Sequence, residues 1–145
     1  HQLVLKNIDD QNAGRYRMIN VGISGSQHNP PHYTVVPENM EQLIQWYHQE
    51  KTLLHPVELA AQFHFRFVYI HPFTDGNGRT ARLLMNLILM CFGYPPAIVK
   101  AEPNLRLKYY ETLEEASVHN NLNRFVELIA ESVEDSLKRY IAVVK

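Results

Sequence analysis

The sequence predicts a mainly α-helical bundle around a central apolar helix, with one small β-hairpin. Three observations lead there. Apolar residues recur at helical spacing from Met40 to Tyr140. Prolines stand where helices begin, and Gly93 with Pro95-Pro96 stands where one must end. Only one region, residues 15–36, sets β-forming runs on either side of a turn-rich stretch.

In chain order, residues 15–23 hold β-formers in broken alternation, and Tyr33-Thr34-Val35-Val36 is a second short extended run. Ser24 to His32 carries Gly25, Asn29, Pro30 and Pro31, so the two runs are expected to form a hairpin with a long exposed loop. Pro37 suits a first helical position, and Met40, Leu43, Ile44 and Tyr47 mark one face of the helix that follows. Pro56 opens the next, with Leu59, Ala60, Phe63, Phe67 and Ile70 in register. Phe63, Phe65 and Phe67 also alternate as in a strand, but the length of the pattern favours helix. A helix from about Asn77 to Phe92 is apolar nearly all round beyond Arg82 and is expected to be central and buried. Leu105, Tyr109, Leu113 and Ala116 mark a fourth helix. Leu122, Phe125, Ile129, Val133, Leu137 and Tyr140 mark a fifth.

Composition narrows the class of function. At 145 residues, 46% hydrophobic and 20% charged, the chain fits one globular domain with a real core. A net charge of -1 gives no basic excess for nucleic acid. The longest apolar stretch, Leu83 to Phe92, is interrupted by Asn86 and too short to span a bilayer, so no membrane association is expected. The single cysteine, Cys91, excludes an internal disulfide and is expected to be buried in its helix. The chain starts at His1, which suggests a fragment lacking its N-terminal part. With no export signal, a cytoplasmic location is expected.

The chemistry concentrates in residues 71–82, His-Pro-Phe-Thr-Asp-Gly-Asn-Gly-Arg-Thr-Ala-Arg. Gly76 and Gly78 permit backbone angles closed to other residues, so successive N–H groups around Asn77 can converge as an anion nest. A helix starting near Asn77 adds its unpaired amides and the positive end of its dipole, a site suited to phosphate. Arg79 and Arg82 are three residues apart, hence on one helical face, with Asn86 four beyond Arg82. Guanidinium groups bind phosphate oxygens bidentately, and Asp75 offers a hard oxygen for Mg2+. His71 is a candidate general base for an attacking hydroxyl. Singly, each feature is ordinary loop or helix-end chemistry. At fixed spacing ahead of an apolar helix, they point to a site for a di- or triphosphate. Histidines 28 and 32 are four apart, but Asn29-Pro30-Pro31 rules out a helical metal pair, so no zinc site is expected.

The spacing resembles, position for position, the HPFx(D/E)GNGRxxR signature of Fic-domain proteins. The likeness extends over the whole chain, through Gly14-Arg15-Tyr16-Arg17, Gly93-Tyr94-Pro95-Pro96 and Tyr109-Tyr110. The resemblance implies a single Fic catalytic domain over residues 1–145. It implies a protein adenylyltransferase that moves AMP from ATP, its co-substrate, to a Ser, Thr or Tyr hydroxyl of a target protein. In that scheme His71 is the base and Phe73 anchors the loop in the core. Asp75 holds Mg2+, Gly76, Asn77 and Gly78 form the nest, and Arg79 and Arg82 hold the phosphate chain. Residues 24–32, with Gly25, Ser26, Gln27 and His28, correspond to the family's flap, where a target segment docks by strand addition. The same stretch also reads as an ordinary loop. Tyr109 and Tyr110 are candidates for the adenine pocket, and equally for helix packing.

Many relatives carry an inhibitory helix of pattern (S/T)xxxE(G/N), whose glutamate pairs with the second signature arginine. The one formal match, Thr34 to Asn39, is set aside because its start reads as extended and Pro37 falls inside it. The inhibitory element is therefore expected in a preceding segment or in a separate antitoxin, with Arg82 unopposed here. Two rivals stand beside this reading. One is transfer of another group, UMP, phosphocholine or phosphate; Doc-type kinases of this fold carry lysine where this chain has Gly78. The other is a non-catalytic nucleotide- or peptide-binding module, which His71 and Asp75 together argue against.

Overall fold

Proline opens three helices of this chain, because its fixed φ suits a first helical turn whose N–H groups have no partner anyway. Pro37, Pro56 and Pro103 all stand in first turns. The computed structural model describes residues 1–99 and 102–144. Its helices are α1 (Gln2–Leu5), α2 (Val36–Glu50), α3 (Pro56–Ile70), α4 (Asn77–Cys91), α5 (Pro103–His119) and α6 (Asn123–Val144), with a 3-10 turn at Tyr33–Val35. Helices α3 and α4 make the most extensive pairing, and α2, α5 and α6 pack around α3.

The core follows the apolar spacing. Leu59, Ala60, Phe63, Phe67 and Ile70 of α3 are all buried, so the alternating phenylalanines belong to a helix. They meet Ala81, Met85 and Leu89 of α4 and Phe125, Ile129 and Val133 of α6. Helix α4 stops where Gly93 takes a left-handed φ of 81°, accessible to glycine at no steric cost.

Several expectations need correction. No strand occurs among the described residues, so the β-hairpin is replaced by irregular chain leading into the 3-10 turn. The reason is local. Pro30 and Pro31 have no N–H for a ladder, and side chains take over the cross-links. The Arg17 guanidinium donates to the Pro31 carbonyl at 2.5 Å, and Asn20 Oδ1 accepts the Tyr33 N–H at 3.0 Å. The run from Tyr33 is likewise not extended. It enters α2 directly, with Pro37 in the first turn where it is tolerated. Glu38 there accepts a hydrogen bond from Gln42 on the same helix.

Helix α4 is buried on one side only. Leu83, Leu87 and Met90 form an exposed stripe at i, i+4, i+7, and Cys91 is exposed rather than buried. Ile44 of α2 also faces solvent, as do Leu137 and Tyr140 beyond the last turns of α6 that reach the core. In each case apolar residues outnumber the positions the neighbouring helices cover.

His64 completes the interior. It lies at helical spacing between Ala60 and Phe67 and is fully buried, and burial, with the nearby Arg82 charge, drops its pKa to about 3. The unfolded chain therefore takes up a proton near pH 6.5 that the folded chain refuses. This contribution to stability is intact above pH 6.5 and lost progressively as pH falls toward 3. Urea unfolding of wild type and a His64→Leu variant should show the wild type losing more stability between pH 7 and pH 4.5; equal losses would contradict the assignment. Phe67→Ala should cost about 3–5 kcal/mol by the same assay, as for a phenylalanine removed from a packed core.

Candidate active site

The loop between α3 and α4 is built by side-chain to main-chain bonds. His71 is the C-cap of α3, with a left-handed backbone (φ 51°) and its N–H on the Phe67 carbonyl at 3.0 Å. Two residues on, Phe73 is buried, and Asn77 grips it at both main-chain groups. Asn77 Oδ1 accepts the Phe73 N–H at 2.9 Å, and Asn77 Nδ2 donates to the Phe73 carbonyl at 2.8 Å. The expected nest residue Asn77 thus directs its side chain away from any anion and into the loop. Gly76 is the N-cap of α4 at φ 78°, a left-handed angle that favours glycine.

Arg17 holds the loop from outside. It is 3% exposed, and its guanidinium donates to the carbonyls of His71 at 2.8 Å, Ile19 at 2.9 Å and Pro31. Its own N–H donates to the Pro72 carbonyl at 2.9 Å. His1 stacks on Phe73 with ring centroids 3.5 Å apart. Its Nδ1 accepts the Gly14 N–H, which leaves the proton on Nε2 to donate to the Asp75 carbonyl, both at 2.9 Å.

His71 Nδ1 lies 3.3 Å from the Val68 carbonyl. A carbonyl can only accept, so the proton resides on Nδ1 and Nε2 carries a bare lone pair. Burial pushes the His71 pKa below its ordinary value; the Val68 bond opposes this, and the positive charges of Arg17 and His28 add to it. The lowered pKa favours the neutral ring.

Asp75, Arg79 and Arg82 share the same cavity of about 1390 Å³ with His71 and the glycines of the loop. The Asp75 carboxylate accepts the Gly76 N–H at 2.6 Å and pairs with Arg79 at 2.9 Å, both partners largely exposed. It stands where an anion is expected at the start of α4. Arg82 lies over the Tyr109 ring, 5.9 Å from guanidinium carbon to ring centroid. Asn86 does not extend this row into the site, because its Oδ1 accepts the Ala97 N–H at 2.8 Å.

The two tyrosines separate. Tyr109 borders the cavity but is 2% exposed, with its hydroxyl 2.9 Å from His64 Nε2. Tyr110 is half exposed, with Arg106 over its ring. Across the cavity, Gly25, Ser26 and His28 line the wall. Glu114 of α5 holds this segment by accepting from the Ser26 hydroxyl and, at 2.6 Å, from the Gln27 N–H. Those bonds draw the Glu114 pKa below its usual value. His28 stacks on Tyr69 at 4.0 Å, its Nε2 2.9 Å from the Tyr69 carbonyl.

Sequence reasoning missed His1, His64 and Glu114 and gave Arg17 no role. His64 was discoverable, since its helical spacing placed an imidazole on a core-facing row. Nothing in the sequence marks Glu114 or His1, which reach the site from far along the chain.

A model of the Fic/DOC family matches residues 1–89, which include the whole of the site loop. The chain belongs to the Fic/DOC family. Among Fic relatives, the protein adenylyltransferase Fic of Nematostella vectensis is 42% identical over 98% of this chain. Protein adenylyltransferase fic-1 of Caenorhabditis elegans is also 42% identical, over 100% of the chain. The chain spans 32% and 28% of the lengths of these two Fic proteins. The solved structure of C. elegans Fic-1 (aa134–508) superposes with a TM-score of 0.87 at 41% identity, covering 99% of this chain and 41% of that one.

Two measurements check the Fic site as described. The Asn77→Ala variant leaves a buried N–H and a buried carbonyl of Phe73 without partners, and should lose about 2–5 kcal/mol in denaturant unfolding. An NMR titration of the imidazoles should place His71 below the ordinary histidine midpoint. A midpoint above that value would mean the ring is charged near neutrality and poorly suited to accept a proton.

Proposed function

We propose that this chain is the catalytic unit of a protein adenylyltransferase, transferring AMP from ATP to a hydroxyl of a target protein. The observation that carries the reading is the convergence, in one cavity, of a neutral histidine with a bare Nε2, a helix N-terminus and two arginines. The names of the Fic relatives support it.

In this scheme the target hydroxyl oxygen attacks the α-phosphorus while His71 Nε2 takes its proton. The bond from the α-phosphorus to the bridging oxygen breaks, and pyrophosphate leaves. Gly76, Gly78 and the first amides of α4 stabilise charge on the phosphate oxygens, with Arg79 and Arg82 along the phosphate chain. Asn77 and Phe73 serve by fixing the loop. Catalysis here is positioning and charge stabilisation more than covalent chemistry.

Mg2+ fits this donor set only together with the nucleotide. Among the described residues no group of three or more His, Cys, Asp or Glu could hold a metal by itself. Asp75 would supply one oxygen and the phosphates others, the pattern magnesium favours. When bound, the ion would neutralise phosphate charge. Asp75 would then release Arg79 to the nucleotide, at little cost for an exposed pair.

The segment Gly25 to His28 serves as the docking flap. Its Gln27 N–H is donated to Glu114, so an incoming target strand would compete with that carboxylate. Tyr110, half exposed, is better placed than Tyr109 to stack on the adenine ring. The cavity exceeds the usual range for a single small ligand, which leaves room for a nucleotide and a target side chain together.

The test is transfer from ATP labelled at the α- or the γ-phosphate. Label from the α-phosphate should appear on protein and fall by roughly a hundred- to ten-thousand-fold in His71→Ala, with ATP affinity retained. Label from the γ-phosphate would make the chain a kinase. ATP binding with no transfer to any offered protein substrate would favour the binding-module reading.

A further inference from the structure

The mechanism above leaves His64 without a role, although it is a fully buried polar side chain beside the site. It is 0% exposed on α3, and its Nδ1 makes no hydrogen bond among the described residues. An orphaned ring nitrogen in a packed interior costs free energy that an apolar side chain of similar size would avoid. Packing alone therefore does not account for an imidazole at this position. Its other nitrogen, Nε2, sits 2.9 Å from the hydroxyl of Tyr109, itself 2% exposed on α5. The two rings meet edge to face at 79°, with Phe125 of α6 against both. Neither ring has freedom to turn.

Arg82 of α4 meets the same tyrosine. Its guanidinium carbon lies 5.9 Å from the centre of the tyrosine ring, a cation over the aromatic face. Arg82 also lines the nucleotide-sized cavity. Three side chains from three helices thus form one row running from the core to the cavity wall.

The chemistry of the row has a direction. A guanidinium is a permanent cation, so the Tyr109 O–H dipole is best placed with its oxygen lone pairs toward Arg82 and its proton directed elsewhere. His64 Nε2 is the acceptor at hydrogen-bond distance. With the histidine proton on Nδ1, the Tyr109 O–H donates to His64 Nε2, and the electron-rich phenol faces the Arg82 cation. That bond makes the phenol more electron-rich and so a better rest for the cation. Burial supports this order by keeping His64 neutral and able to accept, and by pushing the Tyr109 hydroxyl up to about 12, so that it stays protonated.

We infer that His64 is a positioning residue for Arg82, acting through the Tyr109 hydroxyl to fix the angle at which the guanidinium meets the nucleotide's phosphate chain. Without an acceptor at Nε2, the phenolic proton is free to rotate toward Arg82, where it opposes the positive charge. The arginine then loses its fixed rest. Fork geometry matters for an arginine that binds phosphate with two parallel bonds, and a misaimed fork loses one of them. This inference rests on the reading that Arg82 binds phosphate. It extends that reading by explaining why a neutral histidine and a buried tyrosine stand behind the arginine.

The experiment measures calorimetric affinities of the 145-residue chain for ATP and for AMP in Tyr109→Phe, His64→Leu, His64→Gln and Arg82→Ala, with the two double variants Tyr109→Phe/Arg82→Ala and His64→Leu/Arg82→Ala. Tyr109→Phe keeps the ring and the packing, so it remains informative if His64→Leu unfolds. The expected result is that Tyr109→Phe and His64→Leu weaken ATP by roughly three- to tenfold, as for a weakened cation–π contact, while AMP is unchanged. Glutamine at 64, which restores an acceptor, should recover part of the loss. In the Arg82→Ala background neither substitution should weaken ATP further, because coupled residues do not add. If Arg82→Ala weakens ATP but Tyr109→Phe does not, the positioning role is overturned and the phosphate role of Arg82 stands. Equal losses for ATP and AMP, or additive losses on top of Arg82→Ala, would show a structural role only and also overturn it. If Arg82→Ala leaves ATP affinity intact, the phosphate reading itself falls and this inference with it.

Discussion

The Asn77 carboxamide bonds both main-chain groups of Phe73, and most of the site's geometry depends on that pair of bonds. The loop turns the chain from the C-terminus of α3 into the N-terminus of α4 in six residues. Such a connection must bury Phe73 while keeping its N–H and carbonyl satisfied away from water. A carboxamide can donate and accept at once, and so closes both demands with one side chain. The remaining constraints then line up. His71 ends one helix with its ring toward the cavity, and the amides that begin α4 face the same space. The site exists because two helix ends are held face to face.

Electrostatically the site is assembled for an anion. The start of α4, Arg79, Arg82 and, from behind the loop, Arg17 all contribute positive potential. The only carboxylate of the loop, Asp75, already fills part of that demand by capping Gly76 and pairing with Arg79. Burial first, and then the charges of Arg17 and His28, lower the His71 pKa. A base beside cations is harder to protonate, and a phosphate among them is easier to attack. In the proposed transfer, one arrangement of charge would serve both ends.

The helices and the 71–82 loop were legible because their signals are local. Helical spacing, first-turn prolines and a glycine stop each act within a few residues, and α2 to α6 follow them. The flap region was misread for the opposite reason. Its backbone groups are satisfied by the side chains of Arg17 and Asn20, and a side chain reaching across the fold leaves no periodicity. The exposure of Leu83, Leu87, Met90 and Cys91 could not be read either. An apolar residue on a helix does not say whether a neighbouring helix covers it. At the site, the spacing identified which residues gather there but not what each bonds. Asn77 serves the loop rather than the cavity, and Tyr109 serves the core more than the wall.

Arg17 contributes a property of a different kind. Among the described residues, every hydrogen bond its guanidinium makes ends on a main-chain carbonyl, at His71, Ile19, Pro31 and, more distantly, Ile70. Carbonyls are supplied by whatever residue occupies a position, so Ile19, Pro31 and Ile70 can change identity without removing the acceptor. The brace is therefore robust to drift in the segments it ties together and fragile at a single codon. In a survey of variants, substitutions around the flap should be scattered and tolerated, with intolerance concentrated at position 17, a pattern set by the geometry of the peptide bond rather than by the side chains around it.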